Sequence, residues 1–162
     1  MIPRINHVAG TTFEILGQIP ENIQNQVRQR ANCLCEYCHA SEQWQYVEFT
    51  IEHIIPLTKN GTNDIDNLAL ACFHCNRKKS DKTTAIDAQS DVEVPLFNPR
   101  QDSWNEHFIW SADGLSIVGL TPIGRATVTA LVLNRERVIN IRAADKAIKR
   151  HPPAGDLIQS ES

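Results

Sequence analysis

Two pairs of cysteines in this chain share one spacing, Cys35-x-x-Cys38 and Cys72-x-x-Cys75. A two-residue gap puts both thiolates on one side of a tight turn. Two such turns complete a tetrahedral four-thiolate site. Soft thiolates and tetrahedral closure select zinc, so a structural Zn²⁺ is expected on Cys35, Cys38, Cys72 and Cys75. A redox Cys-x-x-Cys needs only one pair. Cys33, the fifth cysteine, is read as a small apolar filler. His74 lies inside the second knuckle, but four thiolates already satisfy zinc, so it is read as a surface residue.

Between the knuckles lie residues 39–71, with no cysteine among them. That gap is longer than a simple zinc ribbon needs, so the staple holds something else. Inside it are Glu52-His53-Ile54-Ile55-Pro56 and then Asn67-Leu68. The second knuckle runs straight into Asn76-Arg77-Lys78-Lys79. Singly, a Glu-His pair is ordinary solvated surface and an Asn-Leu pair means nothing. Taken together, and nested between matched cysteines, they form a pattern.

This order of residues resembles the HNH endonuclease family, whose site is a β-hairpin followed by a helix around one metal ion. The resemblance covers residues 33–82. It rests on Glu52 before His53, Asn67 before a leucine, and Asn76 directly after the last knuckle cysteine. The third motif position is asparagine here instead of histidine, as in a recognised branch of the family. The resemblance implies a metal-dependent endonuclease that hydrolyses phosphodiester bonds. His53 would be the general base, and Asn67 would present its carbonyl to His53 or brace the loop that carries it. Glu52 and Asn76 would hold the catalytic ion. Both offer oxygen, which favours Mg²⁺ or Mn²⁺ over zinc at that centre. Arg77, Lys78, Lys79 and Lys82 would grip phosphates and confer little sequence choice.

The elements that must position these groups can be read from pattern. Ile23, Val27 and Ala31 recur at four-residue spacing, which predicts a helix from Glu21 to about Asn32. Residues 45–51 alternate, with Val47, Phe49 and Ile51 on one side, which predicts a half-buried strand. Glu52 and His53 would then point to opposite faces unless the strand ends there. Asn60-Gly61 marks a turn, 68–71 is a short apolar run, and a helix is expected from Asn76 to about Lys82. Residues 85–103 read as a connector carrying Pro95 and Pro99. Residues 106–110 and 115–120 flank Ser-Ala-Asp-Gly as a hairpin. Thr121-Pro122 reads as an N-cap followed by proline at the first helical position, opening a helix to about Leu133. A last helix is expected from about Glu136 to Arg150.

The expected fold class is α+β. A small ββα-metal core with a four-cysteine staple (21–84) follows an N-terminal segment (1–20). The connector (85–103), a C-terminal hairpin and helices packing on the core (104–151), and a loose tail (152–162) complete it. Trp104 and Trp110 are assigned to the core.

The 162 residues carry a formal net charge of −3, which argues against coating nucleic acid through bulk charge but leaves room for a local basic face. Residues 100–150 hold eight basic and five acidic side chains, an excess read mainly as packing and otherwise as a second DNA-contacting face. No apolar run reaches the roughly 18 residues of a membrane span, and no leader pattern is seen, so a cytoplasmic location is expected. DNA is the expected partner, with RNA open; oligomeric state is not encoded legibly. The competing readings are a non-catalytic zinc-stapled nucleic-acid-binding module and a zinc-stapled module that recruits a protein.

Overall fold

The computed structural model describes residues 18–161. Segment 1–20 therefore lies outside the described residues except for its last three positions. Helix α1 spans Glu21–Arg30, strand β1 Thr50–His53, strand β2 Leu68–Ala71 and helix α2 Phe73–Lys79. Strands β3 (Thr84–Asp87) and β4 (Val92–Pro95) come next. Helix α3 (Trp104–His107), strands β5 (Phe108–Trp110) and β6 (Ile117–Gly119), and helices α4 (Pro122–Ala130) and α5 (Glu136–Ala147) complete the chain. Three two-stranded antiparallel ladders result: β1 with β2, β3 with β4, β5 with β6. The fold is mixed α and β, with a ββα unit built from β1, β2 and α2.

That unit forms for local reasons. All four residues of β2 are fully buried, so it is the spine of the core. It pairs in the register Thr50↔Ala71, Ile51↔Leu70, Glu52↔Ala69, His53↔Leu68. One residue after β2, the Cys72 sulfur accepts from the Cys75 backbone N–H at 3.4 Å and caps α2. The knuckle is therefore also the helix start, and α2 begins three residues before the expected Asn76. From the other side α1 reaches over β2: Arg30 donates to the carbonyls of Ile65 (3.0 Å) and Leu68 (2.7 Å).

The strand expected over 45–51 is displaced to 50–53. Its ladder partner is only four residues long. Upstream, side chains take the backbone groups a ladder would use: Phe49 N–H donates to Glu42 (2.7 Å), and Phe49 C=O accepts from Arg28 (3.0 Å). Phe49 is buried as expected, but Val47 faces solvent. The Asn60-Gly61 turn is present, with Asn60 left-handed at φ 64°. Gly61 is required there, because a Cβ would meet the Ile55 carbonyl oxygen at 1.7 Å.

The expected connector is not structureless, since β3 and β4 form a hairpin within it. Asp87, at its end, is fully buried and takes two hydrogen bonds from Arg125 of α4, at 2.9 and 2.7 Å. A partner 38 residues away left no local sign in the sequence. The β5–β6 hairpin and the Thr121 cap are as expected, the Thr121 hydroxyl accepting from Gly124 N–H at 3.1 Å. The helices stop at Ala130 and Ala147, about a turn short of the expected ends.

The C-terminal unit completes the core of the first. Trp104 and Trp110 are buried, and Trp104 Nε1 donates to the Tyr37 carbonyl at 3.1 Å. His39 stacks on Trp104 with ring centres 4.1 Å apart. A 48-residue staple alone has too little interior to be stable without such a cover. Nor is the tail loose. Asp156 accepts from Trp110 Nε1 (2.9 Å) and lies 2.8 Å from His39 Nδ1, while Trp110 N–H donates to the Leu157 carbonyl and Gln159 N–H donates to the Trp110 carbonyl, both at 2.9 Å. Of the basic excess in 100–150, Arg100 pairs with Glu36, Arg125 with Asp87, and Arg142 is buried over the Trp110 ring. No helix among the described residues is long and apolar enough to cross a membrane.

Candidate active site and metal centre

The four staple sulfurs all lie within 4.8 Å of one another. Tetrahedral zinc with Zn–S bonds of about 2.3 Å requires sulfurs roughly 3.8 Å apart. Cys38 and Cys72 are separated by 3.8 Å. Cys35 and Cys75 are fully buried. Burial pushes the Cys35 thiol well up, and hydrogen bonding with Cys35, Cys38 and Cys72 does the same to Cys75. Cys72, the shared acceptor, is pulled far down by its bonds with Cys35, Cys38 and Cys75. Four sulfurs so crowded cannot all be thiolates without a cation among them, and the donor set fits zinc.

Glu52 is the one acid in this core with little access to water, at 5% exposure. Its Oε1 accepts from the Tyr37 hydroxyl, and its Oε2 lies 3.2 Å from Lys79 Nζ. Burial pushes the carboxyl up, against the pull of the Lys79 charge and the Tyr37 hydrogen bond toward the ionised form. Lys79 is 1% exposed and also donates to the His53 carbonyl at 3.1 Å. Of the four residues expected to grip phosphates, then, Lys79 is excluded. It sits on the inner face of α2, whereas Arg77, Lys78 and Lys82 face solvent.

His53 ends β1 and is half-buried. Its Nε2 lies 2.7 Å from Asn63 Oδ1. An amide oxygen only accepts, so Nε2 carries the proton and Nδ1 is left as the basic nitrogen. Asn67 does not reach His53. Its Oδ1 accepts from Ile55 N–H (2.9 Å), and its Nδ2 donates to the carbonyls of Ile55 and Thr62, both at 2.9 Å. Of the two roles open to it, bracing the loop is the one the geometry supports.

Glu52, His53, Asn76 and Ser80 border one depression of about 280 Å³, open to solvent, with Pro56 and Leu57 on its rim. Glu52 and His53 are both paired in β1 and point to opposite sides, yet both border the depression because it opens at the end of the strand. Glu52 turns in toward Tyr37 and Lys79, and His53 turns out toward Asn63, at the same lip.

A family model described as HNH endonuclease matches residues 35–82. Residues 35–82 are therefore similar to the HNH endonuclease family, over about a third of the chain. The match begins at the first staple cysteine and covers both knuckles, the β1–β2 hairpin and α2. No curated protein matches the chain. Cys33 lies outside both the matched segment and the four-sulfur group. His74 is half-buried, its Nε2 2.8 Å from the Leu131 carbonyl, so it docks the matched segment onto the C-terminal helices instead of facing solvent. Sequence reasoning missed Tyr37 and Asn63 and misjudged Lys79. Asn63 sits in a polar turn where nothing marks it out. Lys79 is separable from Arg77 and Lys78 only by helical phase, as it falls on the same face as the buried Cys75.

Proposed function

We propose that the chain is an endonuclease that hydrolyses phosphodiester bonds in DNA with one divalent metal ion and His53 as general base. The observation that carries this reading is the shared depression, which brings an orienter-bound histidine, a carboxylate and an amide to one open lip within a segment similar to the HNH endonuclease family. Glu52 and Asn76 are the residues that would hold the ion. They are hard oxygen donors, which fit Mg²⁺ or Mn²⁺. Tyr37 and Lys79 take two of the roughly four acceptor sites of the Glu52 carboxylate, which leaves capacity for a cation. When bound, such an ion polarises a phosphate oxygen and stabilises charge on the leaving oxygen.

The chain's own residues do the rest. Asn63 fixes the His53 ring with Nδ1 free to take a proton from the attacking water. Asn67 ties Ile55 to Thr62 and so holds the loop whose two ends carry His53 and Asn63. Lys79 anchors β1 to α2 through both Glu52 and the His53 carbonyl, fixing the spacing across the lip. Arg77, Lys78 and Lys82, exposed along and just after α2, would contact phosphates beside the cut.

The test is supercoiled plasmid incubated with purified full-length protein in Mg²⁺, in Mn²⁺ and without divalent ion, with His53→Ala alongside. Metal-dependent nicking or linearisation is expected, reduced about 10²–10⁴-fold in the variant. Equal cleavage by His53→Ala would overturn the base assignment. A zinc-loaded, folded protein that cuts under neither ion would point to the non-catalytic nucleic-acid-binding module.

A further inference from the structure

A second and larger concavity, of about 890 Å³, opens at the opposite end of α2 from the depression. Phe73 borders it and Ser80 borders the first, about 10 Å apart along the helix at 1.5 Å per residue. Its walls come from the segment before β1, the start of α2 and helix α5. Three aromatic side chains face it and stay in water: Trp44 at 50% exposure, Tyr46 at 108% and Phe73 at 63%. The same chain buries Trp104, Trp110, Phe97 and Phe108 completely or nearly so. Aromatic area left in one concave place marks a contact surface.

Charge says what kind. Arg135, Arg137 and Arg150 line the cleft against one acid, Asp145. Among the described residues none of these arginines forms an ion pair. The Arg150 guanidinium lies 3.8 Å from the centre of the Trp44 ring, so cation and aromatic face are already stacked. Flat apolar faces interleaved with guanidinium groups match the two surfaces of an unpaired nucleotide, a π-face and a phosphate. A duplex hides its base faces in its own stack, and an acidic peptide has no use for three open rings.

We propose that this cleft binds a single-stranded stretch of nucleic acid, with bases on Trp44, Tyr46 and Phe73 and phosphates on Arg135, Arg137 and Arg150. The proposal rests on the nuclease reading only for the identity of that strand as substrate. A strand leaving the cleft along α2 reaches the depression within about three base steps of 3.4 Å. The enzyme is then selective for frayed, flapped or single-stranded substrates over continuous duplex.

The test is binding, separate from cleavage. Full-length zinc-loaded protein in the His53→Ala background is titrated, without divalent ion, against a dye-labelled single strand, its duplex and the RNA of the same sequence. Anisotropy and tryptophan fluorescence are both followed. Trp104 and Trp110 are buried, so quenching reports Trp44. Tighter binding of the single strand than of the duplex is expected, with quenching. Trp44→Ala and Tyr46→Ala should each weaken single-strand binding about 5- to 150-fold while leaving the duplex unchanged. Both side chains are exposed enough for the fold to survive their loss. The RNA arm tells which sugar the cleft prefers. Unchanged single-strand affinity in both variants would overturn the proposal. So would polyglutamate competing as well as the oligonucleotide, which would indicate an acidic peptide. Absent cleavage of the bound single strand by the parent protein in Mg²⁺ or Mn²⁺, with intact strand binding, would sink the nuclease reading and leave the cleft standing. Intact cleavage with no effect of Trp44→Ala on binding would sink the cleft alone.

Discussion

Lys79 Nζ lies 3.2 Å from Glu52 Oε2, with both side chains almost wholly out of water. The last full turn of α2 is thereby tied to the strand that carries Glu52 and His53. Lys79 is a cation already inside the site, and it supports the carboxylate that would face the metal.

Removing one member of a buried pair leaves the other charge uncompensated. Lys79→Met is expected to destabilise the zinc-loaded protein by about 3–5 kcal/mol in urea unfolding without other divalent ion. The double change Lys79→Met with Glu52→Gln should recover much of that loss, because no bare charge remains. A single variant within about 0.5 kcal/mol of the parent would mean the pair does not hold the helix to the strand.

In the proposed reaction Asn63, 2.7 Å from His53 Nε2, would act through His53 alone, so its removal should lower the rate without weakening binding. Asn63→Ala is expected to reduce kcat about 10- to 100-fold, less than His53→Ala, with KM little changed. Asn63→Asp keeps an acceptor for the Nε2 proton and should retain more of the rate than alanine. A change confined to KM would show instead that Asn63 touches substrate.

The cysteines separate by role. About one zinc per chain is expected by metal analysis, and Cys75→Ser should lose it along with cooperative unfolding, since Cys75 is fully buried among the other sulfurs. Cys33→Ser should keep the metal and the fold. Loss of zinc from Cys33→Ser would place Cys33 among the ligands.

Asp87 governs an acid limb of stability. The Arg125 hydrogen bonds hold its carboxyl well below the usual carboxylate range. A depressed folded value stabilises above the unfolded value of about 4 and is lost as pH falls through the folded one. Asp87→Asn should therefore lower the thermal midpoint clearly at pH 7, and the gap to the parent should narrow progressively below pH 4. A gap that widens on acidification would contradict this assignment.

How much of this could be read from the chain depends on how far apart the deciding groups lie. Cysteine spacing, the Thr121-Pro122 helix start, the Asn60-Gly61 turn and the β5–β6 hairpin are set by residues within a few positions of one another, and each is present. The strand over 45–51 failed because alternation records which face a residue prefers, not whether a partner strand exists to pair with it. The connector hid a hairpin because its anchor, Arg125, is remote, and the tail looked loose because His39 and Trp110 hold it from far upstream.

The same division runs through the site. Sequence alone determined the donor chemistry: four thiolates at knuckle spacing, a carboxylate beside a histidine, and amides at positions 67 and 76, all within residues 35–82. Tertiary structure decided what each donor faces. It turned Lys79 inward to Glu52, set Asn63 instead of Asn67 on His53, and gathered Trp44, Phe73 and Arg150 around one cleft. Residue type fixes what a group can donate or accept, whereas its partner, its exposure and hence its charge state are properties of the packed arrangement.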